Sequence, residues 1–126
     1  MNIIGHGIDI IEIRQLQKII ERSGGRFEEQ CLTASERSVI ESHPSRIQYL
    51  AGRFAAKEAV LKALGTGWIN GISFLDIEIQ RLPSGQPSVM LYAKCKELAE
   101  ELGIAGWFVT ISHTESYAVA SVIAVR

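Results

Sequence analysis

The chain has 126 residues, 47% of them hydrophobic, and 13 basic against 14 acidic side chains give a formal charge of -1. That is one domain's worth of sequence with a modest core, and its charge balance gives no global field to draw in nucleic acid or a membrane surface. Two cysteines without a CxxC, Met1 running into a strand-like segment with no cationic leader, and no apolar run near the ~18 residues of a membrane span fit a reduced, cytoplasmic protein.

In chain order, Ile3 to Ile11 is β-branched and reads as a strand, with Gly5, Gly7 and Asp9 on one face and Ile4, His6, Ile8 and Ile10 on the other. His6 has no acidic or cysteine neighbour at ligand spacing and reads as structural. Glu12 to Arg22 turns helical, with Ile13, Leu16, Ile19 and Ile20 on one face, and Ser23-Gly24-Gly25 ends it. Thr33-Ala34-Ser35-Glu36 is a capping box for a short helix that stops before His43-Pro44, and Ser45 to Gln48 reads as a second box opening a long helix to about Leu64. A strand at Ile72 to Gln80, a turn at Pro83 to Pro87, a strand at Ser88 to Leu91 and a helix from Ala93 to Leu102 follow. Two strands close the chain, Trp107 to Ser112 and Tyr117 to Val125. The last is apolar or small on both faces, as a central strand would be, with its alanine face toward helix.

The long helix carries the chemistry. At about 100° per residue, Ile47, Phe54 and Leu61 lie within about 60° of Glu58, so a carboxylate borders the buried stripe and needs a cation. Lys62, four residues on, supplies an ordinary helix pair; a metal is the other answer. The helix ends in Gly65-Thr66-Gly67, which serves as a C-cap or brings backbone N–H groups close to an anion. Asp9 and Glu58 are two hard oxygen ligands from distant parts of the chain. They are too few for a calcium cage but suit magnesium, which completes its shell with water and substrate phosphate. Lys57, Lys62 and His113 are candidates for the remaining phosphate oxygens.

With these residues in place, the chain as a whole resembles the holo-acyl-carrier-protein synthases, the small 4'-phosphopantetheinyl transferases. The segment from Gly7 to Ile13 resembles their first motif, that from Arg53 through Lys62 to Gly67 their second, and Ile111-Ser112-His113-Thr114 their C-terminal histidine motif. Ile72 to Ile79 and Gly85-Gln86-Pro87 fit the family's middle. The resemblance implies an α+β fold over residues 1–126, a mainly antiparallel sheet packed by a long central helix and shorter helices. It implies transfer of phosphopantetheine from coenzyme A to a serine of apo acyl carrier protein, in fatty acid biosynthesis, with Mg2+ as cofactor. Asp9 and Glu58 would hold the metal, with Lys62 beside them in the catalytic set. Lys57, Lys62 and His113 would meet the phosphates, Gly65, Thr66 and Thr114 would line the coenzyme pocket, and Arg53 would bind the coenzyme with them. The implied assembly is a homotrimer with sites at subunit interfaces.

The family places an arginine six residues after the metal-binding aspartate, where it meets the carrier's acidic helix; here that position is Gln15. Arg14, Lys18 and Arg22 fall at i, i+4 and i+8 on one helical face, and with Phe27 as an apolar anchor they are the expected carrier contact. Two other readings stand beside this one: the same chemistry on a peptidyl or polyketide carrier domain, and a non-catalytic protein that binds carrier or coenzyme A.

Overall fold

The computed structural model describes residues 2–67 and 71–126. The elements run β1 (Ile3–Glu12), α1 (Ile13–Ser23), α2 (Arg26–Cys31), α3 (Ala34–Ser42), α4 (Arg46–Leu64), a 3-10 turn (Phe74–Asp76), β2 (Ile77–Arg81), β3 (Pro87–Leu91), α5 (Ala93–Leu102), β4 (Gly106–His113) and β5 (Tyr117–Val125). Three strands form an antiparallel sheet in the order β1-β5-β4, and β2 and β3 form an antiparallel pair. This is the expected α+β arrangement. No described helix is long and apolar enough to cross a membrane.

The last strand is central, and its alanine face is the buried one: Ala118, Ala120 and Ala124 are fully covered. Helix α4 lies across that face with Ala55, Ala59 and Ala63 buried. Contact between two backbones is closest at β1, where a Cβ on Gly7 would stand 1.9 Å from the Ala59 carbonyl oxygen and one on Gly5 2.0 Å from that of Ala63. Gly7→Ala should therefore cost about 3 kcal/mol or more, since backbone has to move to admit the methyl; urea unfolding measures it, and a loss under about 1 kcal/mol would mean the contact is looser than drawn. Towards its N-terminal end α4 passes over β4 instead, where Gly52 faces Ile111.

The Thr33 capping box forms as read, with Thr33 and Glu36 satisfying each other's backbone N–H groups. Three expectations change. Ser45 makes no side-chain cap, so α4 starts without its box. Arg26–Cys31 is a helix where none was read. The stretch from Ile72 is not strand throughout: Ser73 and Asp76 cap each other's backbone and wind residues 74–76 into a 3-10 turn before β2 begins. Cys31 and Cys95 are both buried and free.

Candidate active site

Because Gly5 and Gly7 let α4 sit directly on β1, Asp9 is the first position on that face with a side chain. It stands at the edge of the helix, where Lys62 reaches it. The Lys62 ammonium donates to Asp9 Oδ1 at 3.1 Å and to the Ile8 carbonyl at 2.9 Å. The second Asp9 oxygen, Oδ2, is buried with no hydrogen-bond partner among the described residues. A carboxylate oxygen held dry and unbonded costs free energy that a hard cation would recover. Glu58 is half-buried on α4 one turn before Lys62. No group of three or more His, Cys, Asp or Glu side chains gathers among the described residues, so a protein-only cage is not built. Magnesium takes one or two carboxylates and leaves its other positions to water and phosphate, so Asp9 and Glu58 are donors of the kind that ion accepts.

Lys57 is elsewhere. Its side chain is 0% exposed, and its ammonium donates to the Cys31 carbonyl, to Glu36 Oε1 at 2.7 Å and to the Phe74 carbonyl at 3.1 Å. Three donors meet three acceptors, and nothing is left for a phosphate. The expectation that Lys57 meets coenzyme phosphate is therefore corrected: α4 points this residue at α3 and β2, into the interior. Burial pulls its pKa down, and the Glu36 carboxylate opposes that pull.

The glycine turn is also partly committed. Gly65 is left-handed, φ 76°, and its N–H closes α4 on the Leu61 and Lys62 carbonyls, so that amide is a helix cap and not an anion donor. The Thr66 hydroxyl turns back onto the Gly67 carbonyl at 3.1 Å. The negative end of the α4 dipole lies here, and attraction for a phosphate rests on Lys62.

A second cluster lies at the other end of α4. Arg53 is buried, its guanidinium 4.1 Å over the Tyr49 ring, and its Nε has no partner among the described residues. Burial draws the Arg53 pKa down, while contact with Tyr49 holds it up. Arg53 and His113 line a cavity of about 210 Å³ together with His43, Arg81 and the turn residues Gly85 and Pro87. Arg81 and His43 were not foreseen, since they come from β2 and the end of α3 and nothing in the linear spacing joins them to Arg53. The Ser45 N–H donates to His43 Nδ1 at 3.1 Å, so the neutral ring carries its proton on Nε2. Arginines and imidazole N–H groups around a small cavity favour an anion. Thr114, next to His113, accepts from the Ser116 and Tyr117 N–H groups and closes the β4–β5 hairpin, keeping its O–H free to donate.

These two clusters do not meet within one chain. Arg53 is nine residues before Lys62 on the same helix, about 180° around it and about 13 Å along it. Asp9 and Lys62 belong to the β1 edge of the sheet; Arg53 and His113 belong to the β4 edge, two strands away. Arg14, Lys18 and Arg22, the basic face expected to meet a carrier, are all exposed on α1. Phe27 is half-buried and packs edge-on against Phe54 at 5.4 Å, which fixes its ring from within.

Comparison with known proteins gives the family of the chain. Residues 5–122 match the model of the 4'-phosphopantetheinyl transferase superfamily. The chain is 47% identical to a holo-[acyl-carrier-protein] synthase of Pseudoalteromonas atlantica over 123 residues, covering 98% of this chain and 97% of that one. Its fold superimposes on the crystal structure of holo-[acyl-carrier-protein] synthase from Neisseria meningitidis with a TM-score of 0.93, at 32% identity, covering 99% of this chain and 100% of the other. The Helicobacter pylori holo-[acyl-carrier-protein] synthase solved in complex with coenzyme A gives 0.83 at 34% identity, covering 95% of this chain and 99% of that one.

Proposed function

The chain belongs to the 4'-phosphopantetheinyl transferase superfamily, and on that premise we propose that it is a magnesium-dependent holo-acyl-carrier-protein synthase. The observation that carries this reading is the buried Asp9 Oδ2 beside Lys62, without a hydrogen-bond partner among the described residues, on the strand where the resemblance puts its first motif. Asp9 and Glu58 would hold the ion, which when bound would spread the charge that develops on the coenzyme A diphosphate. Lys62 adds a second positive charge at the same place. The serine hydroxyl of the carrier attacks the β-phosphorus in line; its new O–P bond forms as the bond to adenosine 3',5'-bisphosphate breaks. The serine proton passes to Glu58 or to a water held at Asp9.

Arg53 and His113 serve the coenzyme from a neighbouring subunit, because one chain keeps them on the far side of α4. The uncovered face of the three-stranded sheet supports that assembly: Ile8, Ile10 and Phe108 are each more than half exposed there. An apolar sheet face of this kind is ordinarily covered by another copy or partner. The assembly is a trimer, with the two halves of each site supplied across its interfaces.

Incubation with coenzyme A, magnesium and a panel of apo carriers tests the function, read as addition of one phosphopantetheine group to the carrier by mass spectrometry. Modification of acyl carrier protein alone supports the reading. Modification only of peptidyl or polyketide carrier domains moves the substrate, and binding without modification of any carrier would leave a non-catalytic binder. Charge reversal of both Arg14 and Lys18 should raise the carrier KM about tenfold and flatten its salt dependence, with coenzyme A affinity unchanged. Wild-type carrier kinetics at low salt in that variant would show that the α1 stripe is a solvated face and that the carrier docks elsewhere.

A further inference from the structure

We propose that Lys57, with Glu36, is a positioning pair: it fixes the rotation of α4 about its own axis and so aims the adjacent Glu58 at the metal. The inference rests on the reading of Glu58 as a metal ligand given above.

On its sheet side α4 is smooth. Ala55, Ala59 and Ala63 lie against a strand that offers Gly5 and Gly7, and such a contact brings backbones close without interlocking ridges and grooves. Small side chains set how near the helix comes, and they offer few steric stops against turning. Lys62 ties the C-terminal end of α4 to the β1 edge, and the side away from the sheet imposes direction as well. Lys57 lies about 160° around the helix from Ala55 and from Ala59, and its ammonium is bonded to the end of α2 through the Cys31 carbonyl, to α3 through Glu36 and to the 3-10 turn through the Phe74 carbonyl.

Glu36 is itself held still. Oε1 also accepts from the Thr33 N–H at 2.9 Å, and Oε2 accepts from the Ile79 N–H at 2.8 Å, so the clamp reaches β2 as well. Both charges are almost wholly buried, 0% and 2% exposed. A buried ion pair is a weak source of stability, since an apolar pair of similar size often does as well. What it does supply is direction: every one of these bonds constrains the angle at which residue 57 leaves the helix.

Glu58 follows at about 100° around the helix, with its carboxylate roughly 6 Å from the axis, so a 10° turn of α4 moves that carboxylate by about 1 Å. A displacement of that size at a reacting centre is enough for a loss of about 100-fold.

The test is a pair of variants made in the full chain. Lys57→Met combined with Glu36→Gln removes both charges without leaving one buried alone. Glu36→Asp keeps the charge and shortens the clamp by one methylene, and it serves if the first does not fold. The readouts are the thermal midpoint, kcat and KM for coenzyme A, and the dissociation constant for magnesium by calorimetry with coenzyme A present. We expect a folded protein whose kcat falls about 100-fold and whose magnesium affinity falls about tenfold, with the coenzyme A KM within threefold of wild type. A lowered thermal midpoint with unchanged magnesium affinity and kcat would reduce the pair to a stability element and overturn the proposal. Glu58→Gln is run alongside. If it too binds magnesium as wild type does, the metal assignment itself has failed and the inference with it; if only the clamp variants do, the metal assignment stands and the inference falls.

Discussion

Asp9→Asn and Glu58→Gln should each lower the transfer rate at saturating magnesium by about a thousandfold or more, or about 4 kcal/mol of transition-state stabilisation. Each substitution takes a charged ligand from a site whose other positions belong to water and phosphate. The fold should survive. The Asp9–Lys62 pair is half in solvent on the lysine side, 54% exposed, and such a pair adds at most about 1 kcal/mol to stability. Asp9→Asn also removes the charge from a buried carboxylate oxygen that has no partner among the described residues, so in metal-free buffer its thermal midpoint should equal or exceed that of wild type. Magnesium with coenzyme A should raise the midpoint of wild type and leave that of the variant where it was. Circular dichroism and calorimetry measure both, and a folded Asp9→Asn enzyme with near wild-type turnover would remove Asp9 from the list of ligands.

Mixing two dead enzymes should restore activity. If every site takes Asp9 from one subunit and Arg53 from the next, then Asp9→Asn and Arg53→Ala are each inactive as homotrimers but complete one another across an interface. In an equal mixture that exchanges subunits, a site is intact when an Arg53→Ala subunit offers its Asp9 to an Asp9→Asn subunit that offers its Arg53. Random assortment gives that combination about one time in four, so activity should recover to about a quarter of wild type. Light scattering should report a trimer before and after mixing. Absence of recovery after demonstrated exchange would place both halves of the site in one chain, against the 180° that separates Arg53 from Lys62.

Those two halves were unequally legible in the sequence. Asp9 could be read because a two-residue alternation puts it on the glycine face, and that alternation is local; Lys62 could be read because helical spacing is local too. The α4 helix, the central position of β5 and the Thr33 cap come from the same kind of information. Lys57 was misread for a related reason. A lysine next to a ligand glutamate looks like a phosphate contact until one knows that its direction, about 100° around the helix, is occupied by Glu36, Cys31 and Phe74. Those residues lie from 17 to 26 positions away in sequence and carry no spacing signal. Arg81 and His43 were invisible on the same grounds, since they join Arg53 only after β2 and α3 have docked on α4. Helix α2, six residues long and flanked by glycine, is too short for periodicity to declare itself.

The two cysteines give the molecule a pair of internal clocks. Burial pushes both thiols up to about 11, Cys31 even with the Lys57 ammonium nearby pulling the other way. At pH 8 a thiol of that kind is thiolate about one part in a thousand, so an alkylating reagent must wait for the chain around it to open. Cys31 closes α2 and holds the Lys57 ammonium through its carbonyl, so its labelling rate times the release of that end of the helix. Cys95 lies in the other cluster, packed with β2 and β3, and times the parting of a different region. One reagent and one mass spectrum would therefore rank the two by how often each lets solvent in.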